Sequence, residues 1–200
     1  MNKPLTHNTE QQSHLPNDRT QFHVVSISKY AIMGVFTLGL YIAYCNYRHW
    51  LHIRGQRGLK LTPLLCTLFG GLTMYWLMKN IVARSREVNQ SVEGTALGVT
   101  LMWWIPYLVT LSWDLFNPEN FLNSLPLMVR FLMTITLVFA IATFGTVSLL
   151  RIQQAANACA GDPLGLQNSK ITWVNIFWIM ISWLPITAIF VYVAGHAALI

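Results

Sequence analysis

Five long runs without a single Lys, Arg, Asp or Glu are the feature that most limits how this chain can fold. They cover residues 30–47, 61–78, 94–113, 131–150 and a last run that starts near residue 171. An uncharged apolar run of about 18 residues or more can cross a bilayer as a helix, which satisfies its own backbone hydrogen bonds. We therefore predict an all-α, polytopic membrane bundle of five hydrophobic helices.

The composition agrees with this class. Hydrophobic residues make up 54% of the chain and charged residues only 10%, too few to cover the surface of a soluble domain. The net charge of +6 comes from cations that flank the apolar runs, so we predict anionic lipid headgroups and not nucleic acid as their partners. The three cysteines form no CxxC pair and indicate neither a disulfide framework nor a thiolate metal site.

The chain divides into two parts. Residues 1–24 are polar and predict a disordered tail, and residues 25–200 predict a single helical membrane domain. The tail has no apolar core like that of a signal peptide, so we expect the first run to serve as an uncleaved anchor.

Local signals set several helix boundaries. Ser28 is the predicted cap of the first helix, and Gly55 and Gly58 are predicted to stop it. Pro63 suits the start of the second helix. The fourth helix is predicted to run beyond residue 150 until Gly161 and the two residues that follow break it.

The first two runs leave the topology open. Runs 94–113 and 131–150 and the last run are predicted to span, whereas runs 30–47 and 61–78 either span or re-enter. Five spans with the N-terminus inside divide the Lys and Arg residues eight to five. An interfacial or re-entrant second run with the N-terminus outside divides them nine to four, and two re-entrant runs divide them twelve to one. Cation placement favours re-entry, and hydropathy favours five spans. In all three arrangements connectors 79–93 and 151–170 face the cytoplasm. Connector 114–130 and the C-terminus face away from it.

A basic collar follows the first run and is the most specific candidate site, for lipid headgroups or for an acidic protein partner. Its members are Arg48, His49, His52, Arg54, Arg57 and Lys60. His49 and His52 share a helix face, as metal or haem ligands can, but the neighbouring arginines oppose a bound cation. We predict no metal and no cofactor.

Catalysis and coupled transport find little support. All acidic residues lie in connectors or in the tail, and no catalytic motif occurs, so we predict that the chain is not an enzyme. No charge interrupts an apolar run, which disfavours a proton or ion pathway. Gly94 and Gly98 form a GxxxG pair that predicts helix packing, within the chain or in a homo-oligomer.

Two short motifs resemble a family of small bacterial inner-membrane proteins grouped as a domain of unknown function. The first helix of that family carries T-[FL]-G-[LI]-Y-x-x-Y, matched here from Thr37 to Tyr44, although Cys45 stands where an aromatic residue is frequent. A later stretch before the last helix is matched by Asn157, Asn168, Ser169, Thr172, Trp173 and Asn175. The resemblance implies a bacterial inner-membrane location and no particular activity.

The function predicted from these features is non-enzymatic. We expect an accessory, assembly or immunity-type membrane protein that acts through helix packing and the cytoplasmic collar. The alternatives are a small transporter or channel and, third, a haem- or metal-bearing membrane subunit that uses His49 and His52.

Overall fold

The computed structural model describes residues 22–58, 60, 62–116 and 124–197, and the regular secondary structure in that part of the chain is entirely helical. The helices are α1 (Ile27–Phe36), α2 (Leu40–Arg57), α3 (Pro63–Leu68), α4 (Gly70–Glu87), α5 (Ala96–Phe116), α6 (Leu127–Cys159) and α7 (Trp173–Ala197). A 3-10 turn, Leu166–Asn168, lies between α6 and α7. The predicted all-α class is confirmed.

Two helices are long and apolar enough to cross a membrane, α6 and the stretch Trp173–Gly195 of α7. Almost none of the residues in their most apolar stretches are buried, whereas the core helix of a soluble protein is mostly buried. The α6 helix runs to Cys159 and ends just before Gly161, as its sequence predicts. Helix α5 is 21 residues long and apolar over Ala96–Ser112. A bundle of five spans is not confirmed.

The first apolar run folds as a helical hairpin. Helix α1 has 10 residues, about 15 Å of helix, which is half of the roughly 30 Å hydrocarbon core. It ends where Leu38 and Gly39 adopt φ angles of 54° and 87° and the Gly39 amide donates to the Gly34 carbonyl at 2.8 Å. Helix α2 then folds back, so that a Cβ placed on Gly34 would lie 2.7 Å from Ile42 Cδ1.

The second apolar run also returns towards its starting point. Helix α3 packs along the end of α2, and the chain bends at Phe69, where the Thr73 hydroxyl donates to the Cys66 carbonyl at 2.6 Å. Glu87, at the end of α4, lies in the same surface pocket as Arg57, at the end of α2. In a straight helix that begins at Pro63, Glu87 would lie about 36 Å from Pro63 and could not reach Arg57. Helices α3 and α4 therefore form a second hairpin.

Several boundaries differ from the predicted ones in an informative way. The α1 cap is Ser26, whose hydroxyl accepts from the Lys29 amide, and not the predicted Ser28. Gly58 ends α2 and Pro63 begins α3, as predicted, whereas Gly55 lies within α2 and does not stop it. Residues 1–21 of the predicted tail lie outside the described residues. Phe22 and Val24, which the sequence assigns to the tail, are buried and belong to the packed domain.

An apolar core joins both hairpins to the long helices. Met78 and Ile81 of α4 meet Ile152 and Ala156 of α6 in this cluster. Helix α5 packs on α4 and α6 through Trp103. The Trp103 ring lies 3.1 Å from a Cβ built on Gly71 of α4 and 3.3 Å from one built on Gly145 of α6.

Gly94 and Gly98, the predicted packing pair, do not lie on one helix. Gly94 lies ahead of α5 with a φ of 94°, and among the described residues a Cβ at Gly98 would contact only the Thr95 hydroxyl. Within that part of the chain the two glycines form no packing face between helices, and a role in a homo-oligomer stays a prediction.

Candidate functional site

A cation-rich end of the molecule gathers the ends of both hairpins. Arg57 ends α2, Arg84 lies in the last turn of α4, and Arg151 in α6 pairs with Glu93 just ahead of α5. Arg130 lies 21 residues before Arg151 on the same helix, about 31 Å away. Among the described Lys and Arg residues, Arg130 is thus the one at the opposite end.

A buried polar network holds the first hairpin at this end. The Asn157 side chain pairs with both backbone groups of Val25, accepting from its N–H at 3.1 Å and donating to its carbonyl at 2.8 Å. Gln153, one turn earlier on α6, donates to Asn157 Oδ1 and to the His23 carbonyl, each at 2.9 Å. His49 Nε2 lies 3.2 Å from Gln153 Oε1. Residues before α1 and in the middle of α2 therefore bind the same turn of α6, which requires the chain between them to return.

Two members of the predicted collar are interior residues. His49 and His52 are buried, with side chains packed on Phe22. Because Gln153 Oε1 can only accept, His49 carries its proton on Nε2. Burial, helped by His23, lowers the pKa of His49 to about 3, so the ring is neutral near pH 7. Neither histidine is available to an outside partner in this conformation.

The remaining collar cations face outward. Arg54, Arg57 and Lys60 are exposed, and Arg48 is half-buried with its guanidinium donating to the Tyr44 hydroxyl at 3.0 Å. A polar pocket of about 320 Å³ lies between the ends of α2 and α4. Its rim carries the Arg84–Glu87 ion pair, 2.8 Å long. The surface open to a partner is therefore mainly cationic.

The connector between α6 and α7 clamps the start of α1. Asn168 donates to the Val24 carbonyl at 3.1 Å, and the Ser26 amide donates to the Asn168 carbonyl at 3.3 Å. Gly165 packs so closely on Val25 and Ser26 that a Cβ would lie 2.5 Å from their backbone. Asp162 accepts from the Gln167 amide, and such backbone bonds lower the pKa of its carboxyl group.

Sequence reasoning missed most of this network. Gln153 and Lys29 received no role, although Gln153 begins a polar interruption of an apolar helix. Five residues of the family-like motifs make hydrogen bonds in the structure. Asn157 and Asn168 bind the start of the first hairpin, Asn175 Oδ1 accepts from the Thr172 amide, and Thr37 accepts from the Tyr41 amide at the hairpin turn. No group of three His, Cys, Asp or Glu side chains in the described residues is placed to hold a metal ion.

This end of the molecule combines a fixed, hydrogen-bonded interior with exposed cations. Comparison of the chain with protein-family models, with curated proteins and with solved structures finds no match. The class defined by the fold is an all-helical protein with two helices long and apolar enough to cross a membrane.

Proposed function

We propose that this chain is a non-enzymatic, multi-pass protein of the bacterial inner membrane that docks an acidic protein partner on its cytoplasmic, cation-rich end. In this arrangement α5, α6 and α7 cross the bilayer, and the two hairpins enter and leave it from the cytoplasmic side. The location and the partner are proposals that rest on cation placement and on the motif resemblance.

The observation that carries the proposal is the one-sided distribution of cations. Cations next to membrane segments stay in the cytoplasm, and Arg54, Arg57 and Arg86 are exposed at the end that also holds both hairpin exits. Because the buried network fixes α2, the backbone positions of its exposed arginines are fixed, which suits recognition of acidic side chains.

Cysteine labelling tests the membrane arrangement. In a chain with Cys45, Cys66 and Cys159 replaced by Ala, single cysteines are placed at Gln56, Asn89 and Met128. A membrane-impermeant maleimide should label the first two from the cytoplasmic side and the third from the opposite side. If Gln56→Cys labels on the same side as Met128→Cys, the first run spans and the hairpin arrangement is wrong.

Affinity capture from native membranes after cross-linking tests the docking surface. Changing Arg48, Arg54, Arg57 and Lys60 to Gln should abolish co-purification of a specific partner. The control changes Lys79 and Lys170 to Gln, two exposed cations that do not line this surface, and should retain the partner. Retention by the first variant, or equal loss by both, would contradict a specific role of the α2 cations.

The rival function, a small transporter or channel, needs a continuous polar path. In the described residues the core between α4 and α6 is apolar. A polar path would therefore have to run elsewhere, within one molecule or between copies of the chain. Ion or solute flux in liposomes, absent from liposomes without protein, would favour this rival.

A further inference from the structure

A cleft between the first hairpin and α7 has no role in the proposed docking surface. It has a volume of about 450 Å³, within the range of roughly 300–1,000 Å³ typical of small-molecule sites. The connector that precedes α7 and α7 itself contact the hairpin at two separate points. Near the cation-rich end the Lys29 ammonium donates to the Lys170 carbonyl at 2.7 Å, and near the hairpin tip Trp183 Nε1 donates to the Phe36 carbonyl at 2.9 Å.

The inner end of the cleft holds a buried positive charge. Lys29 is only 4% exposed, and its ammonium donates to two neutral oxygens, Asn168 Oδ1 at 2.6 Å and the Lys170 carbonyl. The ion pairs within the described residues involve Arg84 and Arg151, and Lys29 has no carboxylate partner there. An ammonium has three N–H donors, so one remains for a ligand. A buried charge without a counter-ion is costly and favours binding of an anion.

The outer walls of the same cleft are apolar. Leu40 comes from the start of α2, and Val174 and Trp178 come from α7; all three are exposed on the side of the molecule that the proposal places in the bilayer. The cleft thus joins a cation, close to the cytoplasmic end, to apolar walls that run towards the membrane interior. That order of chemistry matches one leaflet of a bilayer, with the headgroup at the surface and the chain inside.

We infer that the cleft binds a single anionic phospholipid from the cytoplasmic leaflet, with its phosphate on Lys29 and an acyl chain between Leu40 and Trp178. The inference rests on the membrane placement proposed above but not on the docking surface, since no collar cation lines the cleft. The bound lipid supplies the missing counter-charge of Lys29 and fills the space between the hairpin and α7.

Native mass spectrometry of the full chain tests this inference with phosphatidylglycerol and phosphatidylcholine of identical acyl chains. The wild-type protein should bind phosphatidylglycerol more tightly by about tenfold, because both lipids carry a phosphate but the quaternary ammonium of phosphatidylcholine offsets its charge beside Lys29. Lys29→Gln should reduce the preference to less than about twofold. Lys170→Gln, the matched control, removes a neighbouring exposed charge and should keep the preference, because only its backbone carbonyl contacts the site.

Other outcomes would overturn the inference. Equal loss in both variants would mean general surface attraction, and an unchanged preference in Lys29→Gln would exclude Lys29 as the phosphate site. Should Lys29→Gln fail to fold, Val174→Trp fills the apolar part of the cleft and must weaken binding of both lipids. If inorganic phosphate at millimolar concentration displaces the lipid, the site takes a free anion and the lipid assignment is wrong. Labelling at Gln56→Cys, which tests the membrane placement, is scored independently of every lipid measurement.

Discussion

The first hairpin and helix α6 both arise from uncharged apolar runs, yet one turns back and the other continues for 33 residues. Both contain a glycine, so glycine alone does not decide the outcome. Gly39 has a left-handed φ at a turn, whereas Gly145 is helical and lets Trp103 approach. The hairpin differs in that both of its ends bind one turn of α6 through buried polar groups. Long-range anchors at the ends of an apolar run thus decide its path as much as its length does.

Asn157→Leu is the strongest test of this difference, because it removes the anchor and spares the apolar runs. It leaves both backbone groups of Val25 buried without partners, and we expect a loss of about 3 kcal/mol in the free energy of unfolding. Thermal unfolding in detergent, followed by circular dichroism, measures it. Gln154→Leu is the control, since Gln154 is exposed on the same helix and should change stability by less than about 0.5 kcal/mol. Equal effects would show that the anchor does not hold the hairpin.

Packing of the long helices should respond to Gly145→Leu. A Cβ there already lies 3.3 Å from the Trp103 ring, so the larger side chain forces α5 and α6 apart. We expect a loss of about 2 kcal/mol, typical of overpacking, measured by the same unfolding assay. Gly195→Leu on α7 is matched in chemistry but has open space around it and should be neutral. If the two variants behave alike, close packing on Trp103 does not stabilise the long helices.

Acid should weaken the hairpin anchor before it affects the long helices. His49 follows the apolar run 30–47, and burial lowers its pKa to about 3 from an ordinary 6.5. A lowered histidine pKa contributes stability above pH 6.5 that is lost as the pH falls towards 3. Between pH 7 and pH 5 we expect a loss of at most about 2 kcal/mol from this residue.

His23, His52 and Arg48 also face this region and affect the titration of His49. Comparison with the His49→Gln variant is therefore needed to isolate the contribution of His49. Glutamine keeps a donor for Gln153 and cannot titrate, so stability of the variant should depend less on pH over this interval. A wild-type pH profile that coincides with the profile of the variant would exclude His49 as the sensitive group.

Much of the fold follows from the sequence because it depends on neighbouring residues. Pro63 and Gly58 mark helix ends by backbone geometry alone, and α6 continues until the glycine that follows it. The hairpin does not follow, because its anchor joins Val25 to Asn157, 132 residues apart. The positive φ of Leu38 is equally hidden, since leucine rarely adopts it. Burial of His49 was missed because cationic neighbours in the sequence suggested a surface.

The smallest effect is expected at the hairpin turn, where Gly39→Ala should destabilise the protein by about 1 kcal/mol. The surroundings of Gly39 are open, so the effect comes from its φ of 87° and not from crowding. Gly55→Ala provides a control of opposite sign: Gly55 is exposed within α2, and alanine should stabilise the helix by up to about 1 kcal/mol. Unfolding measured on both variants separates the two backbone geometries. If Gly39→Ala stabilises the protein as Gly55→Ala does, residue 39 is helical in solution. The first run would then be a continuous helix, as α6 is.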